Sequence, residues 1–269
     1  MFIDSHCHLT FPELKAQLTP IREAMEAAGV DRALCICTTL EEAPQVVALA
    51  QQYDNFWATV GVHPDNEGVR EPDVDTLAAL AVAPRVVAIG ETGLDYFRLG
   101  ERTLAQMEWQ RQRFRVHIRA ARTAKRPLVV HTRSAAEDTL RLLVEEGAQD
   151  VGGVFHCFTE SAQVARAALD LGFYISFSGI LSFKNAQDLR DVAAFVPLER
   201  CLIETDSPYL APVPYRGKMN SPAYVPYVAQ ALAQAKGLSV EAVAYATSRN
   251  FEDLFLKLAT HPVEHHCTP

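Results

Sequence analysis

Six side chains able to hold a divalent metal are scattered along this chain of 269 residues, each at or just after the end of a short apolar run. They are His6 and His8 in FIDSHCHL, Glu91 in VVAIGETGLD, His131 in PLVVHTR, His156 in GGVFHCF and Asp206 in CLIETDSP. On a strand, alternate side chains share a face, so His6 and His8 can reach one ion together while Cys7 points away. A carboxylate such as Glu91 at the end of a buried apolar strand is costly unless it is paired or metal-bound. A salt bridge to an arginine is its plain alternative, and its two oxygens could instead bridge two ions. His131 and His156 end the next two strand-like runs. Imidazole is the commonest metal-binding side chain at neutral pH, although either histidine alone would read as a satisfied core residue. Asp206 and Glu204 stand two apart, so they share a face. Asp206, at the strand end, is assigned to metal and proton transfer; Glu204 either supports a ligand or serves a further ion.

Four imidazoles and two carboxylates suit Zn²⁺, Mn²⁺, Co²⁺ or Ni²⁺ better than an all-oxygen ion, with Mg²⁺ acceptable in a loose site. Six ligands are too many for one structural zinc and suit two ions with open positions. Two ions about 3.5–4 Å apart polarise a phosphoryl or carbonyl oxygen and acidify a water. That chemistry is hydrolysis rather than redox or group transfer.

The elements that must position these groups alternate in type. Eight β-branched or apolar runs read as strands: Phe2–Ser5, Ala33–Thr38, Phe56–Val62, Val86–Glu91, Leu128–His131, Val154–Phe158, Tyr174–Ser178 and Leu202–Thr205. Amphipathic segments lie between and after them: Pro20–Ala28, Ala43–Tyr53, Leu104–Ala124, Ala135–Glu146, Ala162–Leu171, Ala186–Phe195, Val225–Ala235 and Val240–Leu258. The charges of Leu104–Ala124 read as those of a long surface helix. Eight strand–helix alternations imply an α/β fold, a single (β/α)8 TIM-type barrel with the metal site at the C-terminal ends of its strands. The alternative, an open doubly wound sheet, lacks a glycine-rich phosphate loop. The barrel is expected over residues 1–259. Residues 260–269, with His261, His265 and His266, read as a loose tail.

The formal net charge of −8 argues against a protein that coats duplex DNA through a broad basic face. It leaves room for a site that captures one strand end. No apolar stretch reaches the roughly 18 residues of a membrane span. MFIDSH starts directly into a strand, without a basic segment and apolar stretch, so no secretory signal is expected. The six cysteines then read as reduced thiols of a cytoplasmic enzyme, with Cys35-x-Cys37 as core packing.

Taken together, the motifs resemble the TatD-type metal-dependent deoxyribonucleases, a branch of the amidohydrolase-like hydrolases. The matching segments are FIDSHCHL, GVHP at Gly61–Pro64, GETGLDY at Gly90–Tyr96, VVHTRSAAED at Val129–Asp138, FHCF at Phe155–Phe158 and ETDSPYLAPVPYRGKMNSP at Glu204–Pro222. The resemblance implies that His6, His8, Glu91 and Asp206 hold one metal and that Glu91, His131 and His156 hold a second, with Glu91 bridging. It implies a substrate-facing role for His63, whose plain alternative is a buried hydrogen-bonding histidine. It implies a phosphate-facing role for Arg133, whose plain alternative is a salt bridge to Glu137 or Asp138. Thr10 and Thr92 depart from the family's usual residues, and neither is a ligand.

The resulting expectation is a DNA exonuclease acting on ends or single strands, with Glu91 and Asp206 catalytic and with two divalent ions (Zn, Mn, Mg, Co or Ni). No membrane and no obligate protein partner are expected. Arg98, Arg102, Arg133, Lys184, Arg216 and Lys218 offer local cations, and Phe97, Phe158, Phe183, Tyr209 and Tyr215 could stack bases. The same ligands would also serve hydrolysis of a small amide, lactone or ester, or of an aminoacyl-tRNA ester. A binding protein with a vestigial metal site would need a missing ligand, and none is missing.

Overall fold

A computed structural model describes residues 1–257. The expected barrel boundary at 259 and the tail with His261, His265 and His266 lie outside the described residues. Eight parallel strands follow one another in strict order: β1 (Phe2–Cys7), β2 (Val30–Cys35), β3 (Phe56–Val60), β4 (Val86–Asp95), β5 (Leu128–Arg133), β6 (Gly153–Phe155), β7 (Tyr174–Phe177) and β8 (Cys201–Ile203). All eight expected strands are present. Strand β8 returns to β1 through backbone bonds just past its end. Asp206 N–H donates to the His6 carbonyl at 2.9 Å, and His8 N–H donates to the Ser207 carbonyl at 2.9 Å. The Asp4 carboxylate, fully buried, reinforces this seam by accepting from Thr205 N–H at 2.9 Å and from its hydroxyl at 2.5 Å.

The helices are α1 (Pro12–Lys15), α2 (Leu18–Ala27), α3 (Ala43–Gln52), α4 (Val74–Ala81), α5 (Glu108–Ala124), α6 (Ala136–Glu145), α7 (Ala162–Asp170), α8 (Gln187–Phe195), α9 (Val225–Lys236) and α10 (Val240–Phe251). Their starts are written in the sequence: Ser161 and Ser239 cap α7 and α10 through side-chain oxygens. Two helices were not expected, α4 and the single turn α1. The expected segment Val240–Leu258 is α-helical to Phe251 and then widens into a π-turn over Glu252–Leu256; Leu258 lies outside the described residues. No described helix is long and apolar enough to cross a membrane.

Apolar packing forms two layers. The larger lies between strands and helices. The smaller gathers Ile3, Leu34, Val87, Val129, Val154 and Leu202, from six different strands, around Phe251 and Phe255. Side chains from so many strands meet only on the inside of a closed sheet, so the C-terminal helix stops the lower mouth of the barrel. The ligand candidates lie at the opposite, upper mouth. Close strand approach there demands glycine. A Cβ on Gly93, whose φ is +129°, would stand 1.9 Å from the His131 carbonyl oxygen.

Helix α5 corrects the expectation of a simple surface helix. Its outer arginines do pair with carboxylates, as Arg119 does with Glu146 at 2.7 Å. Its inner face, however, buries Gln110, Arg111, Arg113 and His117. The Arg113 guanidinium donates to the carbonyls of His63 at 2.8 Å and Asn66 at 2.7 Å while paired with Glu71. His117 donates from Nδ1 to the Arg113 carbonyl at 2.8 Å and accepts at Nε2 from Val62 N–H at 2.9 Å. Helix α5 thus grips the segment Val62–Asn66 from behind.

That acceptor role requires a neutral imidazole, and burial pushes the His117 pKa down from 6.5 to about 4. Below neutrality the unfolded chain takes up this proton first. The associated stability is therefore complete above about pH 6.5 and is lost as pH falls through about 4, by up to roughly 3 kcal/mol. Urea unfolding of wild type and of His117→Gln, whose amide oxygen can still accept from Val62, tests this. The stability gap between them should shrink as pH drops through that window; a gap independent of pH would show that His117 does not act as a buried neutral acceptor.

Candidate metal centre

The ends of β1, β4, β5, β6 and β8 bring all six expected ligand residues together. Glu91 sits in the middle, only 3% exposed. Its Oε2 is 3.3 Å from His6 Nε2 and 3.8 Å from His8 Nε2. Its Oε1 is 2.9 Å from His156 Nε2 and 3.3 Å from His131 Nδ1. Asp206 Oδ1 closes the first group, 3.3 Å from His8 Nε2 and 3.6 Å from His6 Nε2. The carboxylate of Glu91 is therefore divided, one oxygen to each group. His6 also stacks on His156, with ring centroids 3.9 Å apart and planes 8° from parallel.

These spacings fit a shared cation better than direct bonding. Ligands at about 2.1 Å from a four-coordinate ion stand about 3.4 Å from one another. His6 Nε2 and His8 Nε2 face each other at 3.3 Å. Buried nitrogens lacking a directed hydrogen bond include His6 Nδ1, His8 Nδ1 and His156 Nε2, the last despite Glu91 lying 2.9 Å away.

Hydrogen bonds behind the rings select which nitrogen is free. His156 Nδ1–H donates to Glu204 Oε1 at 3.2 Å, so Nε2 keeps a lone pair facing Glu91. Glu204 also accepts from Cys157 N–H at 2.8 Å, which fixes its carboxylate. His131 Nε2–H donates to Asp95 Oδ2 at 3.0 Å, freeing Nδ1 towards Glu91. Asp95 is held in turn by Phe97 N–H at 2.9 Å, and its own N–H donates to Gln110 Oε1 at 2.9 Å. Asp95 was missed from the sequence. Its signal is a second carboxylate four residues after Glu91, on the same side of a strand whose ten residues are all buried.

His63 behaves differently. Its Nδ1 accepts from Asp65 N–H at 3.0 Å, so Nε2 carries the proton and points at Glu91 Oε1, 3.2 Å away. It reaches the same group as the ligand candidates but presents a donor where they present lone pairs. Arg133 is exposed and makes no ion pair with Glu137, Asp138 or any other described carboxylate. Its guanidinium lies 3.6 Å over the Phe97 ring. The cleft above the ligands, about 600 Å³, is lined by His63, Arg98, Arg133 and Tyr209 together with His8, Glu91, His131, His156 and Asp206.

The electrostatics are those of a charge-compensated cluster. Burial alone would raise Glu91, but the surrounding imidazoles, His156 foremost, hold it well below the usual carboxylate range. Burial likewise acts against Asp206, and the His8 hydrogen bond with the charges of His6 and His8 keeps it low. His156 is raised well above its ordinary value because Glu91 and Glu204 outweigh its burial. His6 moves down through burial and through repulsion by His156. A divalent cation at these positions supplies the same positive charge and displaces those protons.

Other expected contributors separate into available and unavailable. Phe158 is 2% exposed and cannot stack a base, whereas Phe97 and Tyr209 are 59% and 56% exposed. Arg98 pairs with Asp65 at 3.2 Å and Arg102 with Glu67 at 2.5 Å, so neither is a free cation. The five described cysteines are all free, and Cys35 and Cys37 are buried as expected for core packing.

Asp95→Asn retains the size of the side chain and removes the charge that orients His131. It should weaken divalent-metal affinity about 10–100-fold with the fold intact. Competition against a chromophoric chelator measures this, and an unaltered affinity would mean that Asp95 does not set the His131 tautomer.

A sequence model of the TatD related DNase family matches residues 3–256. The chain is 47% identical over 257 residues to an uncharacterised metal-dependent hydrolase, YcfH, of Escherichia coli, covering 94% of this chain and 95% of the relative. It is 37% identical over 235 residues to a protein of Citrobacter rodentium named 3'-5' ssDNA/RNA exonuclease TatD, covering 85% and 88% of the two chains. Among solved structures, the Escherichia coli TatD homologue YJJV superposes with a TM-score of 0.86 at 28% identity, over 94% of this chain and 97% of that one. With a family match over nearly its whole length and an eight-stranded barrel of the same shape, the chain belongs to the TatD related DNase family of metal-dependent hydrolases.

Proposed function

We propose that this protein is a two-metal phosphodiesterase that degrades DNA from accessible ends or single strands. The observation that carries the reading is the division of Glu91, one oxygen facing His6 and His8 and the other facing His131 and His156. In this reading His6, His8, Asp206 and Glu91 hold one ion, and Glu91, His131 and His156 hold the other. Zn²⁺, Mn²⁺, Co²⁺ and Ni²⁺ suit this nitrogen-rich set, and Mg²⁺ suits it less well. When bound, the ions supply Lewis acidity towards a phosphoryl oxygen and make a water acidic.

The remaining work falls to the chain itself. Asp206, ionised and directed at His8, accepts the proton of the attacking water. The Nε2–H of His63 donates to a non-bridging phosphate oxygen, because its Nδ1 is already engaged by Asp65. Arg133, held flat against Phe97 and free of carboxylates, neutralises the charge that develops on the phosphate, with two parallel donors available to it. A nucleic-acid substrate is supported by the name of the Citrobacter relative, a nuclease of single-stranded DNA and RNA. Free cysteines suit a reducing compartment, and we assign the protein to the cytoplasm.

Stripping metal with a chelator should abolish hydrolysis of end-labelled single-stranded DNA, and returning Mn²⁺, Zn²⁺ or Mg²⁺ separately should restore it. RNA, duplex DNA and a small ester are assayed alongside. No phosphodiester cleavage with any ion would refute the reading. Glu91→Ala should lower both metal content and activity by more than about 100-fold, beyond the range seen for groups behind the ligands; near-wild-type turnover at saturating metal would exclude bridging. Arg133→Ala should lower kcat/KM about tenfold, one lost charge-assisted contact, with metal content unchanged. Loss of metal instead would place Arg133 among the supports of the ligands.

A further inference from the structure

The loops after β7 and β8 carry cations with no acidic residue of their own. From Leu171 to Gln187 and from Ser207 to Val240 the chain has no Asp or Glu, although it carries a net charge of −8. Within these stretches Lys184, Arg216 and Lys218 are exposed, and none is within ion-pair distance of a described carboxylate. Arg216 instead lies 3.8 Å over the Phe183 ring and Lys218 lies 5.8 Å from the centre of the Tyr215 ring. Cations resting on rings keep their charge available while losing some of their rotational freedom.

The loop that carries Arg216 and Lys218 is built rather than loose. Tyr215 stacks on Tyr224 at 4.0 Å with planes 1° apart, and its hydroxyl meets that of Tyr227 at 3.1 Å. Asn220, fully buried, donates to the carbonyls of Thr205 at 2.8 Å and Tyr209 at 2.6 Å. Val213 N–H donates to Ser182 Oγ at 2.9 Å, which ties the two loops together. The same loop carries Tyr209, 56% exposed, at the rim of the metal cleft. Across the mouth, the loop after β4 carries Phe97, with Arg133 of β5 against it. Strands β4 and β8 are four places apart in a ring of eight, so these two loops face each other over the ligands.

We propose that Lys184, Arg216 and Lys218 form a second backbone site, which holds the phosphodiester chain of single-stranded nucleic acid beyond the nucleotide being cleaved. The reading rests on the phosphodiesterase function above and deepens it. The strand enters over the β7 and β8 loops, its phosphates meeting the three cations. Its end turns down past Tyr209 into the cleft, where Arg133 takes the reacting phosphate. Such a site reads backbone and not base, so it accepts DNA and RNA alike. It also distinguishes a polynucleotide from a dinucleotide, which is too short to span both sites.

The test compares wild type with the double variant Arg216→Gln, Lys218→Gln on a single-stranded 12-mer and on a dinucleotide, each as DNA and as RNA. KM for the 12-mer should rise at least about tenfold with kcat retained. kcat/KM for the dinucleotide should stay within about twofold. Binding of a fluorescein-labelled 12-mer is titrated in parallel in chelator, where no cleavage occurs. There the slope of log Kd against log salt should become shallower by about 1.4, two single-strand phosphate contacts. The control pair Arg119→Gln, Arg122→Gln, on the outer face of α5, removes the same charge and should leave 12-mer affinity unchanged. Equal losses on 12-mer and dinucleotide, unchanged 12-mer binding, or an equal loss in the α5 control would each overturn the second site. Failure of wild type to cleave any nucleic acid would overturn the phosphodiesterase reading, while the chelator titration would still decide whether the cations hold a strand.

Discussion

A buried carboxylate is the constraint around which the molecule is arranged. Glu91, 3% exposed within the wholly buried strand β4, keeps its charge only if positive charge surrounds it. His6, His63, His131 and His156 each bring a ring nitrogen within 3.3 Å of one of its two oxygens, and His8 comes within 3.8 Å. Those imidazoles are in turn backed by carboxylates: Asp95 behind His131, Glu204 behind His156, Asp206 beside His8. Negative, positive and negative groups thus alternate outwards from one point. The carboxylates around these rings demand positive charge, which protons on the imidazoles can supply and which a divalent ion would supply while accepting several lone pairs at once.

The barrel is suited to this cluster because its upper mouth is where the first and last strands meet. The first ligand pair lies at the end of β1 and the last ligand just past β8, and the bond from Asp206 N–H to the His6 carbonyl is part of the seam that closes the sheet. The lower mouth is stopped by the apolar side chains of Phe251 and Phe255. An ion bound between His6, His8 and Asp206 would therefore brace the seam as well as serve the reaction, and its binding free energy would add to folding stability. The seam has its own buried carboxyl group in Asp4. Burial pushes its pKa to about 8, and the Thr205 bonds pull the other way without reversing the shift.

What could be read from the sequence followed from periodicity and from the position of charge. Parallel barrel strands are buried on both faces, so they appear as short continuous apolar runs, and a His or Glu at the end of such a run stands out. Glu204 was visible by its spacing of two from Asp206. Helix α4 was not expected because it is short and its Leu and Ala residues make little contrast between faces; the Asp73 cap was the available signal. Arg113 and His117 were hidden for another reason. Within Leu104–Ala124 they look like every other charged residue, and only the fold brings Glu71, 42 residues away, and the carbonyls of the His63 segment against them. A charge run reveals the helix but not which charges are interior. The opposite roles of His63 and His131 were hidden too, because they depend on which nitrogen a neighbour has already engaged.

The distribution of cations decides how a nucleic acid would meet this protein. A body of net charge −8 repels a polyanion, yet at physiological salt that repulsion is screened beyond about 8 Å. Within that distance the outer arginines of α5 are neutralised by Glu146 and Asp150, and those near the cleft by Asp65 and Glu67. Around the cleft, Arg133, Arg216 and Lys218 stand apart from these, because they rest on rings instead of on carboxylates. On the proposed reading, a strand lying over the loops after β7 and β8 would have its end directed at the ligands. Exposed rings at Tyr209 and Phe97 favour an end whose bases are already unstacked, since a duplex would first have to give up its own stacking to use them. The acidity of the whole chain and the cations of its rim are therefore compatible with the proposed function: the former would suppress side-on binding, and the latter would favour the end of a single strand.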